Sequence, residues 1–195
     1  MTEPHKPEAL LWIDFETTDT NRDKLTPLEI GLQCTDVNAT TSHAAMHSPI
    51  RPRYLNLTEL TPATLTMHTD NGLLNEIVAD ADGRNDIGNV QGKTRKLIDR
   101  LADQYTLIPA GTNVDFDVDI LKKWIYPDPP LSYRKFDLTT LRHLAKWTGR
   151  DTPHKTTNHR TADCIRRDIQ EYVELGVTLL GESFHGGHRL HVVES

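Results

Sequence analysis

Two acids, Asp14 and Glu16, stand two residues apart in the run LLWIDFETT at positions 10–18. Side chains alternate faces along a strand, so both carboxylates fall on one face at its end. Two further acids open predicted helices: Asp117 within NVDFD, and Asp163 within HRTAD, four residues after His159. Carboxylate oxygens are the ligands of hard divalent cations, and Mg²⁺ in particular combines a few of them with phosphate oxygens and water. Two such ions about 3.5–4 Å apart activate an attacking water and stabilise the leaving oxygen of a phosphodiester. A histidine beside them, with an unperturbed pKa of about 6.5, is suited to accept the water's proton. An Asp at a helix start is by itself more often a cap, so the inference rests on the ordered set.

These side chains need elements to hold them. Residues 10–14 read as a short buried strand entering a polar turn, with LEIGLQCTDV (28–37) and SHAAMHSPI (42–50) as second and third strands. Tight links between the three predict an antiparallel meander. The pattern then turns helical, with Leu73, Leu74, Ile77 and Val78 spaced for one helix and Leu97, Ile98 and Leu101 on one face of another at 90–104. The Gly/Asp-rich stretch 79–89 between them reads as a loop. A strand is expected at 106–111, a helix at 116–125, a strand at YRKFD (133–137), a helix at 138–147 and a last helix over about 161–175. The fold class is therefore α/β, with a central mixed sheet: three antiparallel strands followed by alternating helices and strands.

The bulk properties set limits on function. At 195 residues the chain is expected to be one domain, residues 1–195, with a core at about 9–175 and a flexible tail at about 181–195. A net charge of −6 argues against a basic stripe gripping a long nucleic acid, though not against a short one met through metal ions. No apolar run reaches the roughly 20 residues that span a bilayer, and the N-terminus has no signal-peptide core. Cys34 and Cys164 are too few for a disulfide framework, so no membrane association and a cytoplasmic location are expected. His185, His188 and His191 in the tail fit a flexible segment or an interface better than a metal site.

IDFETT, NVDFD and HRTAD together resemble the three motifs of the histidine-bearing (DEDDh) branch of the DEDD 3′→5′ exonuclease superfamily, whose fold is RNase H-like. Within it, MHTDNGLLNEI (67–77) and YRKFDLTTLRHLAKW (133–147) are similar to two segments characteristic of oligoribonucleases. The resemblance implies Asp14, Glu16, Asp117 and Asp163 as ligands of two divalent ions, Mg²⁺ or Mn²⁺, with His159 as general base. It also implies His68, Tyr133, Arg134, Thr139 and Thr140 as substrate contacts. Arginine offers phosphate a bidentate fork, and tyrosine a stacking face for a base. The implied reaction is metal-dependent 3′→5′ hydrolysis of short single-stranded RNA to nucleoside 5′-monophosphates, by a homodimer. Two alternatives stand beside it: another DEDDh exonuclease acting on DNA or RNA 3′ ends, and a catalytically weakened binding module on the same fold.

Three positions depart from the family pattern. The family's final motif places its acid where Cys164 stands, with Asp163 one residue early. The expectation is that the helix start adjusts to aim Asp163 inward. The alternative, in which Cys164 holds the position and the fourth ligand is lost, is the phase that the apolar spacing of Ile165, Ile169 and Tyr172 fits better. Thr20 replaces an apolar wedge, and Ala63 replaces an aromatic platform, contacts whose stacking is worth about 1–3 kcal/mol per base.

Overall fold

The computed structural model describes residues 6–54, 56–150 and 156–180, with only the backbone of 177–180. The tail histidines His185, His188 and His191 lie outside the described residues. Strands β1 (Glu8–Thr17), β2 (Pro27–Asp36) and β3 (Ser42–Pro49) form the expected meander. Helices α1 (Pro62–Asp70), α2 (Leu73–Ala79) and α3 (Ile87–Ala102) follow, then β4 (Thr106–Gly111), α4 (Val114–Ile120), β5 (Phe136–Asp137), α5 (Leu138–Trp147) and α6 (Thr161–Leu180). The sheet order is β3-β2-β1-β4-β5, antiparallel within the meander and parallel across β1-β4-β5. No helix among the described residues is long and apolar enough to cross a membrane.

Strand β1 shows why the acids lie where they do. Its odd-numbered side chains Ala9, Leu11, Ile13 and Phe15 pack into the cluster under α3 and α4. Its even-numbered side chains Leu10 and Trp12 pack on the other face, against Ile165, Ile169 and Tyr172 of α6. Continuing that alternation places Asp14 and Glu16 on the α6 side, just past the apolar contacts. Tyr172 meets Trp12 edge-on at 5.5 Å and Phe136 at 4.9 Å, which ties α6 to β1 and β5. Gly31, the cross-strand partner of Asp14, admits the first turn of α6. A Cβ there would come within 2.7 Å of the Thr161 Cβ and 2.8 Å of the Ile165 Cδ1.

Several elements differ from the sequence expectation. Helix α1 is an addition to it; Thr61 caps this helix by accepting from the Thr64 amide, and Pro62 supplies the fixed φ that suits a first helical turn. The strand expected at 133–137 shrinks to Phe136–Asp137, since only these two residues reach the edge of β4. The helix expected at 116–125 starts at Val114 and ends as a π-helical turn, Leu121–Ile125.

Candidate active site

The carboxylates meet at the C-terminal ends of β1 and β4, the edge where open α/β sheets present their clefts. Asp117, on the first turns of α4, reaches back so that its Oδ1 accepts from the Phe15 amide at 3.0 Å, which sets it between Asp14 and Glu16 along the chain. Glu16 and Asp117 are buried, at 7% and 5% exposure, and the Asp14 Oδ2 is buried with no hydrogen-bond partner among the described residues. None of the three forms a salt bridge among the described residues.

Ionisation here is unfavourable for a physical reason. Burial, reinforced by the Asp168 charge, pushes Asp14 up to about 7. Burial and then Asp14 push Glu16 up to about 9. Asp117 is raised well above the usual carboxylate range, by burial first and Asp14 second, against the pull of the Phe15 amide. Desolvated like charges of this kind are what bound cations relieve. The donor set of Asp14, Glu16 and Asp117 therefore suits a hard divalent ion.

The opposite wall comes from the start of α6 and the loop before it. His159 is exposed, and its backbone adopts a left-handed φ of 55°. The Asn71 side chain pins this loop by donating to the carbonyls of His159 at 2.7 Å and Asn158 at 3.1 Å. Ring nitrogen, thiol and carboxylate ligand atoms of His159, Cys164 and Glu16 lie within 4.8 Å of one another. Cys164 Sγ is 3.9 Å from Glu16 Oε1 and 3.2 Å from the Thr157 hydroxyl.

Asp163 does not join this cluster. Its carboxylate pairs with Arg166 one turn along, and both charges act on His47 of β3. The helix phase explains the exchange. One residue rotates a side chain by about 100°, and the buried contacts of Ile165, Ile169 and Tyr172 fix the rotation that turns Cys164 inward. The adjustment expected of the helix start is absent.

His68 is fully buried; its Nε2 donates to the Thr17 carbonyl at 3.1 Å, and burial lowers its pKa, which favours the neutral ring. It thus holds the strand end that carries the acids. Tyr133 is 85% exposed, with the Arg134 guanidinium 5.5 Å above its ring and Arg134 Nε donating to its hydroxyl. Thr139 is half-buried and Thr140 exposed at the start of α5. Thr20 and Ala63 are both exposed, and the Thr64 hydroxyl beside Ala63 donates to the Thr18 carbonyl.

Several residues that support the site are given no role by the sequence motifs, although Arg160 and Asp137 lie within two of them. Arg160 grips Glu29 at 2.7 Å and Glu76 at 2.8 Å, while Glu29 also accepts from the Thr161 amide and so caps α6. Asp137 accepts from the amides of Asn113, Val114 and Thr139, joining the starts of α4 and α5. Asp168 is buried near Asp14, held by Thr112 and Arg167. Glu29 is detectable in principle, since it faces Glu16 across the β1-β2 pair; Asp137 stands within YRKFD but its joining role is not evident there, and Asp168 leaves no local signal.

The sheet order and the carboxylate edge fit the RNase H-like fold found in exonucleases. No family model matches the chain. It is similar to the oligoribonuclease of Corynebacterium diphtheriae, 27% identical over 172 residues that cover 85% of this chain and 80% of that protein. It is likewise similar to that of Idiomarina loihiensis, 25% identical over 182 residues, covering 88% and 94%. Among solved structures, the metal-free form of the E. coli ExoI–ssDNA complex superposes with a TM-score of 0.62 at 17% identity, covering 91% of this chain and 41% of that one. The zinc-ion-bound form of the same complex gives 0.59 at 19% identity, covering 92% and 42%. The chain thus spans about two fifths of those exonuclease I chains. It is similar to oligoribonucleases over most of its length and shares the fold of exonuclease I.

Proposed function

We propose that this chain is a divalent-metal-dependent 3′→5′ exoribonuclease that releases nucleoside 5′-monophosphates from short single-stranded RNA. The observation that supports it most is the convergence of the buried Glu16 and Asp117 with Asp14, whose Oδ2 is buried, all without salt-bridge partners among the described residues, beside the exposed His159. The resemblance to the DEDD exonucleases supports the metal dependence, and the relatives named oligoribonuclease support RNA as substrate.

Asp14, Glu16 and Asp117 would hold the metal, which when bound polarises the scissile phosphate and lowers the pKa of the attacking water. His159, at the open rim, accepts the water's proton as general base. Tyr133 offers its exposed ring to a base, and Arg134 its guanidinium to a phosphate. Thr139 and Thr140 lie at the start of the next helix, where their hydroxyls are available to a terminal phosphate. His68 acts one step back, by fixing the Thr17 carbonyl. A homodimer completing the substrate site, and a reducing cytoplasm for the free thiols of Cys34 and Cys164, belong to the same reading.

Labelled RNA from dinucleotides to long single strands, with Mg²⁺ or Mn²⁺, provides the test. Metal-dependent release of monophosphate, fastest on short RNA, is expected. Equal rates on DNA or long RNA would favour a broader DEDDh exonuclease. No release from any substrate would leave the weakened binding module, which the thiol at position 164 favours.

A further inference from the structure

The pocket has two chemically different walls. Asp14 and Asp117 offer only oxygen, whereas Glu16, His159 and Cys164 offer oxygen, nitrogen and sulfur with their ligand atoms within 4.8 Å of one another. Thiolate and imidazole donors suit borderline-soft ions, while Mg²⁺ has little affinity for sulfur. Three protein ligands with an open fourth position describe a zinc site that accepts water or substrate oxygen. The open side is present here, because His159 is exposed while Glu16 and Cys164 are buried.

We propose that Glu16, His159 and Cys164 form a binding site for a zinc-class divalent cation, distinct in preference from the hard-ion site of the remaining carboxylates. The rest of the geometry supports such a site. Glu16 is only 7% exposed, and among the described residues the one hydrogen-bond contact to its side chain is the long one from the Cys164 thiol. The buried Asp14 Oδ2 next to it also lacks a partner among the described residues. On binding, the Cys164 S–H bond breaks, its proton leaves to solvent, and the sulfur electron pair forms the S–metal bond. The same ion occupies the imidazole nitrogen that faces the pocket. If the exonuclease reading above holds, such an ion therefore suppresses the proton transfer assigned to His159.

Titration of the metal-stripped full chain with Co²⁺, in the absence of RNA, tests the site independently of activity. Wild type should develop an intense near-ultraviolet sulfur-to-cobalt charge-transfer band that added Zn²⁺ abolishes and excess Mg²⁺ does not. Cys34→Ser should keep the band and Cys164→Ser should lose it. The loss of Zn²⁺ affinity in Cys164→Ser should exceed the roughly 10–100-fold typical of changes outside the ligand set. Cys164→Asp should lose the band and gain Mg²⁺ affinity, which shows that the pocket remains folded. No band in wild type, or a band that persists in Cys164→Ser, would overturn the site. Should the band appear while Zn²⁺ leaves RNA hydrolysis unaffected, the site stands and the role of His159 falls.

Discussion

The interior treats two sets of acids in opposite ways. Glu29, Asp168 and Glu171 are buried at 2%, 4% and 5% exposure, and each is met by arginine: Arg160, Arg167 and Arg142 respectively. Asp14 and Glu16 lie on the α6 side of β1 and Asp117 reaches back toward them from α4, yet none is paired in the same way among the described residues. Taking a carboxylate out of water costs several kcal/mol unless a cation or hydrogen bonds compensate. The first set is compensated within the chain, at the N-terminus of α6 and between α5 and α6, where it fixes the helices. The second set has no such compensation among the described residues, and under the function proposed above a divalent cation would supply it. The pairing of an acid thus separates acids that hold the fold from acids available for chemistry.

That contrast is open to direct attack. Asp14→Ala and Asp117→Ala should each lower RNA hydrolysis by about 10³-fold, the scale of losing a central electrostatic contact in a catalytic site. Their melting temperatures in metal-free buffer should equal or exceed that of wild type, because each change relieves like-charge repulsion. A large loss of stability would move these acids into the structural set.

Arg160→Ala should do the reverse. It strands the Glu29 carboxylate, and chemical denaturation should report a loss of about 3 kcal/mol, at the low end for breaking a buried pair because Arg160 is partly exposed. An unchanged midpoint would show the clamp to be ornamental.

The pH dependence of apo stability is a gentler probe. Asp14 and Glu16 rise from 3.8 and 4.5 to about 7 and about 9 in the folded chain. The native state therefore binds more protons than the unfolded state between these limits, and stability falls as pH rises. Melting temperature in chelator should decline from about pH 4 to about pH 9. Asp14→Asn should flatten the lower part of that curve, and saturating divalent metal should remove most of it. A curve that rises over this window would contradict the arrangement.

The smallest effect is expected from Asp163→Asn. The pair it makes with Arg166 is solvent-exposed on its arginine side, and such pairs contribute about 0–1 kcal/mol. Hydrolysis and stability should both stay close to wild type. A substantial loss of activity would return Asp163 to the metal site and displace Cys164 from it.

Much of this arrangement is legible in the amino-acid sequence. The meander, the later alternation of helix and strand, and the shared face of Asp14 and Glu16 all follow from local periodicity. A strand's two-residue repeat determines facing without reference to anything distant. The segments around His68 and Tyr133 are also evident as sequence, although not what they touch. His68 acts on Thr17 through a bond across 51 positions, and Asn71 holds His159 across 88. No local pattern encodes such partners.

The apolar spacing of Ile165, Ile169 and Tyr172 leans toward Cys164, but only the tertiary structure decided which of Asp163 and Cys164 faces the pocket. A helix presents every residue to some direction, and its rotation is set by the contacts of the whole element. Ile165, Ile169 and Tyr172 lock α6 onto Leu10 and Trp12, and Gly31 lets its first turn approach closely. With that phase fixed, a thiol rather than a carboxylate completes the pocket. The sequence thus determined the three oxygen donors that any reading of this chain must explain, and the packing of α6 determined the sulfur that sets it apart.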